Sequence, residues 1–222
     1  MRRKDRIMET VIGSLLSMVG SFIHIGLMVY IWCIIIRAII SWLSPDPYHP
    51  AVRFLYRITD PVYDRARRLL PLQFGGIDFS PIIIIFVIQF IDILTKKIID
   101  GISSSLMGYH AFHVSHILAY LFVSIAGIAE SIILILMILY IVRAILSFIN
   151  PDPYNPIVQF VYRATEPGLN FFRSRLPLEY EDFDLSPLLM LVILYLLNSF
   201  VVTILYSASN SILSSANISF MH

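Results

Sequence analysis

Charge is what this sequence has least of. Asp, Glu, Lys and Arg make up 14% of its 222 residues, against 58% hydrophobic residues, whereas soluble domains run near one quarter charged. That leaves too little polar surface to cover a water-soluble particle, so the chain is expected to reside in a bilayer. The formal net charge is only +1, without the concentrated basic face that nucleic acid requires, and no nucleic-acid partner is expected. Cysteine is almost absent. Cys33, the single one, lies inside an apolar run, where it forms no internal disulfide and is expected to pack. Period-two alternation over segments of about 10 residues is missing too, which leaves helices rather than a barrel as the spanning elements. No H-E-x-x-H, G-x-S-x-G, Walker or dinucleotide-binding pattern occurs, so neither enzyme activity nor a cofactor is expected.

What the chain does have is long uncharged runs. The start, MRRKDRIMETVIGSLLSMVGS, imitates a secretory signal, but Thr10 to Ile36 carries no formal charge. That run is too long for a signal's apolar middle and long enough to span, so the segment is expected to be retained. Matching uncharged stretches to the roughly 20 helical residues that cross a hydrocarbon core predicts four spans, at about 22–43, 81–100, 128–149 and 187–206. Lys96 and Lys97 follow the second, with stems able to snorkel to the interface.

The chain is also written twice. Residues 37–81 align on 143–187 at a constant offset of 106 without a gap, keeping Arg37/Arg143, Arg57/Arg163, Thr59/Thr165, Pro61/Pro167, Asp78/Asp184 and Pro81/Pro187. The first repeat is assigned to 1–106 and the second to 107–222. Each holds two spans, an even number, so the copies are expected to run parallel, with both PDPY loops on one face of the membrane. The termini and the connection around 96–116 then fall on the other face. Ten of the sixteen Lys and Arg residues lie on the PDPY side, which favours that side as the cytoplasmic one.

Proline supplies the punctuation. SPDPYHP at 44–50 and NPDPYNP at 150–156 stop the first span of each copy and restart a helix, with Asn155-Pro156 as N-cap and first helical residue. A second restart is expected at Thr59-Asp60-Pro61 and at Thr165-Glu166-Pro167. The short segments that follow carry arginines on one side and apolar residues on the other, so interfacial amphipathic elbows are placed at about 50–70 and 156–176. Ser80-Pro81 and Ser186-Pro187 have the N-cap form that launches the second span. The expected fold is therefore an all-α membrane protein of four transmembrane helices, arranged as two parallel two-helix repeats, each with a proline-broken elbow.

The ordered elements R-A-[IL]-[IL]-S, P-D-P-Y-x-P, Y-R-x-T-[DE]-P, R-x-x-L-P and D-x-S-P, each present twice, resemble the YggT family of small integral membrane proteins. On that resemblance Arg37, Asp46, Tyr48, Arg57 and Asp78, with Arg143, Asp152, Tyr154, Arg163 and Asp184, are family-motif positions. The resemblance implies the bacterial inner membrane and roles connected with osmotic or salt tolerance, cation uptake, cell division or, in plastid relatives, cytochrome assembly. It brings no enzyme chemistry.

Polar residues inside the spans are the remaining candidates. Counted from Pro45 and Pro81, Arg37 and Asp92 fall about 12 and 16 Å deep, which makes an Arg37–Asp92 pair available, with Arg143 and Asn198 as its repeat equivalent. Glu130 and His24 occupy equivalent positions near the opposite interface, as solvated boundary residues or as a proton or cation site. His110, His113 and His116 are read as an interfacial loop, with a metal or haem ligand set as the lesser alternative. The lipid bilayer and either membrane-protein partners or further copies of the chain are the expected partners. Two functions follow: a scaffold or assembly factor for membrane complexes, or an oligomeric cation channel, transporter component or osmotic-stress factor.

Overall fold

The computed structural model describes residues 2–43, 46–69, 73–74, 77–78, 80–109, 111–149, 151–175, 179–180 and 183–218. Six helices account for nearly all of them: α1 Arg2–Leu43, α2 Pro50–Leu69, α3 Ser80–Leu106, α4 Val114–Ile149, α5 Pro156–Arg173 and α6 Ser186–Ile218. Two antiparallel pairs of two-residue strands join elbow to span, β1 Gln73–Phe74 with β2 Ile77–Asp78, and β3 Glu179–Tyr180 with β4 Phe183–Asp184. Pro45, Pro71, His110 and Pro177 lie outside the described residues.

Among the described residues three helices are long and apolar enough to cross a membrane, over Lys4–Ser41, Val114–Ile149 and Ser186–Ala216. The sequence led to four. The missing one is α3, whose apolar opening PIIIIFVIQFI is soon followed by Asp92, Lys96, Lys97 and Asp100. Residue counting from a proline marks where a helix leaves lipid, not where it starts. α1 accordingly runs twenty residues further toward the N-terminus than the expected span.

The elbows are single helices. α2 and α5 run straight through Pro61 and Pro167, where restarts were expected. A proline deprives one carbonyl, four residues earlier, of its partner. Those carbonyls belong to Arg57 and Arg163, which both lie at exposed positions where water can take the bond. Packing of the apolar side then outweighs one missing rung. The N-cap expected at Asn155 is present, its side chain accepting from the Ile157 N–H at 2.9 Å.

Contacts divide the chain into two compact units, 1–125 with 208–222, and 126–207. In the first, α1 and α3 pack along each other and α2 lies against both. Its core is Ile34, Tyr63, Ile84 and Ile88, extended by Leu27, Tyr30, Ile31 and Val62. Two glycines bring α1 close to α3: a Cβ on Gly13 would stand 2.9 Å from the Ser103 carbonyl, and one on Gly20 would stand 2.7 Å from Ile99. The outward side of α1, with Phe22, Val29 and Trp32 more than half exposed, is apolar as a lipid-facing surface should be.

The second unit has the core Ile133, Tyr140, Leu169 and Leu194. Aligned by the offset of 106, the two cores exchange a ring. Ile34 and Tyr63 in the first copy correspond to Tyr140 and Leu169 in the second, so each core holds one tyrosine and one aliphatic residue at the same contact, contributed by opposite helices.

Candidate functional site

Each elbow is fixed to its span by a buried arginine. Arg37 on α1, 7% exposed, donates from Nη1 to Thr59 Oγ1 at 2.8 Å and pairs through Nη2 with Asp60 Oδ1 at 2.7 Å. Its guanidinium lies over the rings of Tyr63 and Tyr56, 3.8 and 4.8 Å from their centroids. In the second copy Arg143 reaches Glu166 at 3.4 Å and stacks over Tyr162 at 3.3 Å. Thr59 and Thr165 are fully buried and donate back to Leu55 O and Val161 O, each at 2.7 Å. The repeated T-[DE]-P triplet therefore carries an anchor for the spanning arginine rather than a helix start. A planar guanidinium suits this use, because it bonds at its edge and stacks on its face at once.

A second fastening joins elbow to following span. Asp78 Oδ1 accepts the Ser80 N–H at 2.9 Å, capping α3, while Oδ2 accepts from Arg67 at 2.5 Å. Asp184 does the same with Ser186, at 2.9 Å, and with Arg173. The cap is thus the aspartate two residues ahead, not the serine of the Ser-Pro pair. Burial pushes both carboxyls up, but hydrogen bonds from the following serine and from the arginine, with the guanidinium charge, hold them below the usual aspartate value. Arg173 also bonds Glu166 at 3.0 Å, so the second copy joins its two fastenings into one network.

Asp92 does not meet Arg37. It is 5% exposed, and both its oxygens accept from His24 Nδ1, at 2.9 and 2.8 Å. The reason is register. His24 faces Asp92, and Gly13 O accepts from Ser103 Oγ, so eleven residues along α1 match eleven along α3. Carried on from His24, the same register brings Arg37 level with the beginning of α3, well away from Asp92. The end of α1 and the start of α3 are therefore not at one height: by this register α3 begins level with Arg37, six residues before α1 ends at Leu43. One turn along α3 from Asp92, Lys96 donates to Ser21 Oγ at 3.2 Å and pairs with Asp100 at 3.0 Å. The α1–α3 seam is therefore lined by an ionisable string of His24, Asp92, Lys96 and Asp100, each with a partner. Asp92 was legible as a candidate; its partner His24, read as a boundary residue, was not.

The repeat equivalents of that pair, Glu130 and Asn198, lie in the second unit. Glu130 is exposed, and Asn198 Oδ1 is buried with no hydrogen-bond partner among the described residues. Asp46 and Asp152 hold the PDPY bends: each accepts at 2.9 Å from the N–H two residues on, Tyr48 and Tyr154. Those tyrosines point away, 82% and 84% exposed. Arg57 and Arg163 are exposed on the outer side of α2 and α5. His113 and His116 meet edge to face with ring centroids 5.4 Å apart. No group of three His, Cys, Asp or Glu among the described residues is placed to hold a metal.

Comparison with known proteins matches this layout. The chain is 30% identical to an uncharacterized protein of Pseudomonas aeruginosa over 173 residues, 78% of this chain and 82% of the relative. It is 28% identical to an uncharacterized protein of Haemophilus influenzae over 187 residues, covering 84% and 91%, and 24% identical to the uncharacterized protein YggT of Escherichia coli over 188 residues, covering 83% and 89%. No solved structure matches. The CCB3/YggT family model matches twice, at residues 16–99 and 122–205, the same offset of 106 that relates the two arginine clamps. The chain belongs to the CCB3/YggT family.

Proposed function

We propose that this protein is a non-enzymatic scaffold of the bacterial plasma membrane, on which partner membrane proteins or further copies of the chain assemble. The observation that carries the reading is the pair of clamped elbows. Buried Arg37 and Arg143 fix α2 and α5 to their spans, while Tyr48 and Tyr154 stand out from the bends that Asp46 and Asp152 hold. Rigid, amphipathic tyrosines presented on a fixed frame are suited to recognition, because little side-chain entropy is lost on contact.

In this reading α3 is a fourth span. Asp92 and Lys96 turn toward α1, where His24 and Ser21 satisfy them, and exposed Lys97 lies far enough along the helix for its stem to snorkel to the interface. The arginine-rich elbow face is the cytoplasmic one. A photo-crosslinking residue placed at 48 or 154 in growing cells should trap discrete protein adducts. Adducts to lipid alone would reject the scaffold.

A second reading, an ion-handling component in osmotic or salt tolerance, is favoured by the His24–Asp92 pair. Ionisable groups this deep are costly and are usually used. Reconstituted vesicles should then pass monovalent cations or protons, and Asp92→Asn should abolish the flux. Vesicles as tight with the protein as without it would discard this reading.

A further inference from the structure

Between α1, α2 and the start of α3 lies a cavity of about 260 Å³ lined by Arg37, Ser41, Tyr56, Tyr63, Arg67 and Asp78. Three of its features go beyond holding the elbow. Its inner wall is buried, with Arg37 7% and Tyr63 3% exposed, while Arg67 and Ser41 are exposed, and the Tyr63 hydroxyl has no hydrogen-bond partner among the described residues. Burial, with the Asp78 charge, pushes that hydroxyl up to about 12 against the opposing pull of Arg37 and Arg67, so it stays a donor.

The cavity is also small. Sites for drug-sized molecules run roughly 300–1,000 Å³, so this one fits a polar fragment rather than a whole amphiphile. Finally, the α1–α3 register brings Arg37 level with the beginning of α3, and α2, which forms one wall, is the amphipathic elbow. The cavity therefore opens at the height where headgroups lie.

Charge selects among headgroups. Arg37 is matched by Asp60 and Arg67 by Asp78, so the site has no net charge to offer a net anion. It does present two guanidiniums, whose N–H groups not spent on Thr59, Asp60 and Asp78 can donate to phosphate oxygens, beside a carboxylate that suits an ammonium. We propose that this cavity is a binding site for the headgroup of a zwitterionic aminophospholipid, its phosphate diester between Arg37 and Arg67 and its ammonium toward Asp78.

The second copy is built differently. Leu169 replaces Tyr63, and Arg173 is held by both Glu166 and Asp184. The site is assigned to the first copy alone.

The test uses the full chain, delipidated in detergent and offered phosphatidylethanolamine, phosphatidylcholine or phosphatidylglycerol, with retained lipid counted by native mass spectrometry. One phosphatidylethanolamine per chain is expected, held at least tenfold better than phosphatidylglycerol or phosphatidylcholine. Ala38 also lines the cavity, so Ala38→Phe should fill it and remove the bound lipid while leaving the helical circular dichroism and its thermal transition in place. Should that variant fail to fold, Ser41→Leu fills the same space from the next turn and should do the same. Retention of the lipid in a folded cavity-filled variant overturns the site. Equal retention of phosphatidylglycerol overturns its zwitterionic character, and displacement by millimolar inorganic phosphate overturns the lipid as its source.

Discussion

His24 and Asp92, sixty-eight residues apart in sequence, meet with Nδ1 between the two carboxylate oxygens at 2.9 and 2.8 Å. The carboxylate is buried and the imidazole only half so, which makes Asp92 the member that depends on the pair.

Removing the acceptor should cost more than exchanging the donor. Asp92→Ala is expected to lower stability by about 1–2 kcal/mol, within the range for charged hydrogen bonds and for polar contacts inside membranes. His24→Gln, which keeps an N–H, should cost less. Unfolding in mixed micelles by a denaturing detergent measures both, and equal losses would mean that the pair does not act as a bonded unit.

Helix α1 should tolerate bulk at a glycine away from α3 and not at one against it. A Cβ on Gly26 meets nothing within 4 Å, whereas one on Gly13 meets the Ser103 backbone carbonyl at 2.9 Å, and backbone cannot step aside. Val at either position carries the same helix-propensity change, so the difference isolates packing. Gly13→Val should be the less stable by about 1–3 kcal/mol, the usual cost of overpacking, read from thermal transitions side by side.

The exchanged ring predicts coupling. Tyr63→Leu should leave a void under Arg37, and Ile34→Tyr should overpack, each losing stability. The double variant copies the Tyr140 and Leu169 arrangement and should recover more than half of the summed loss. A double-mutant cycle reports the interaction, about 0.5–3 kcal/mol for residues in contact. Additive losses would show that the ring exchange is not a compensation.

Acid should loosen the elbows. Asp78 and Asp184 have folded values below the ordinary aspartate value of about 3.9. Their contribution is whole above the unfolded value, shrinks as pH falls through it, and is gone below the folded value. The thermal midpoint should therefore drop between about pH 5 and pH 3. Asp78→Asn and Asp184→Asn should start lower and fall less over that range.

How much of this was readable in advance follows from what is local. The ends of α1 and α4 beside the prolines, the Asn155 cap and the extent of the elbows depend on residues within a few positions of each other, and all were legible. The Arg37 partner was not. It depends on how far the elbow and strand pair offset α3 from α1, a quantity set by tertiary packing. Pro61 misled for a related reason: its local preference for a break is real, but the buried side formed by Val52, Leu55, Thr59 and Tyr63 outweighs one lost hydrogen bond. Thr59 stood in plain view as a repeated residue; only the guanidinium beside it reveals its use.

The pairing of Gly13 with Ser103 and of His24 with Asp92 also sets how this protein meets the bilayer's thickness. The uncharged run from Thr10 to Ile36 is 27 residues, about 40 Å of helix at 1.5 Å per residue, against a hydrocarbon layer of about 30 Å. Such an excess is taken up by tilt or by local thickening of the lipid. Because α1 is gripped by α3 near one end of that stretch and again at its middle, it cannot lean alone. A change in membrane thickness would then swing the helix pair as one lever, carrying the elbow that Arg37 holds.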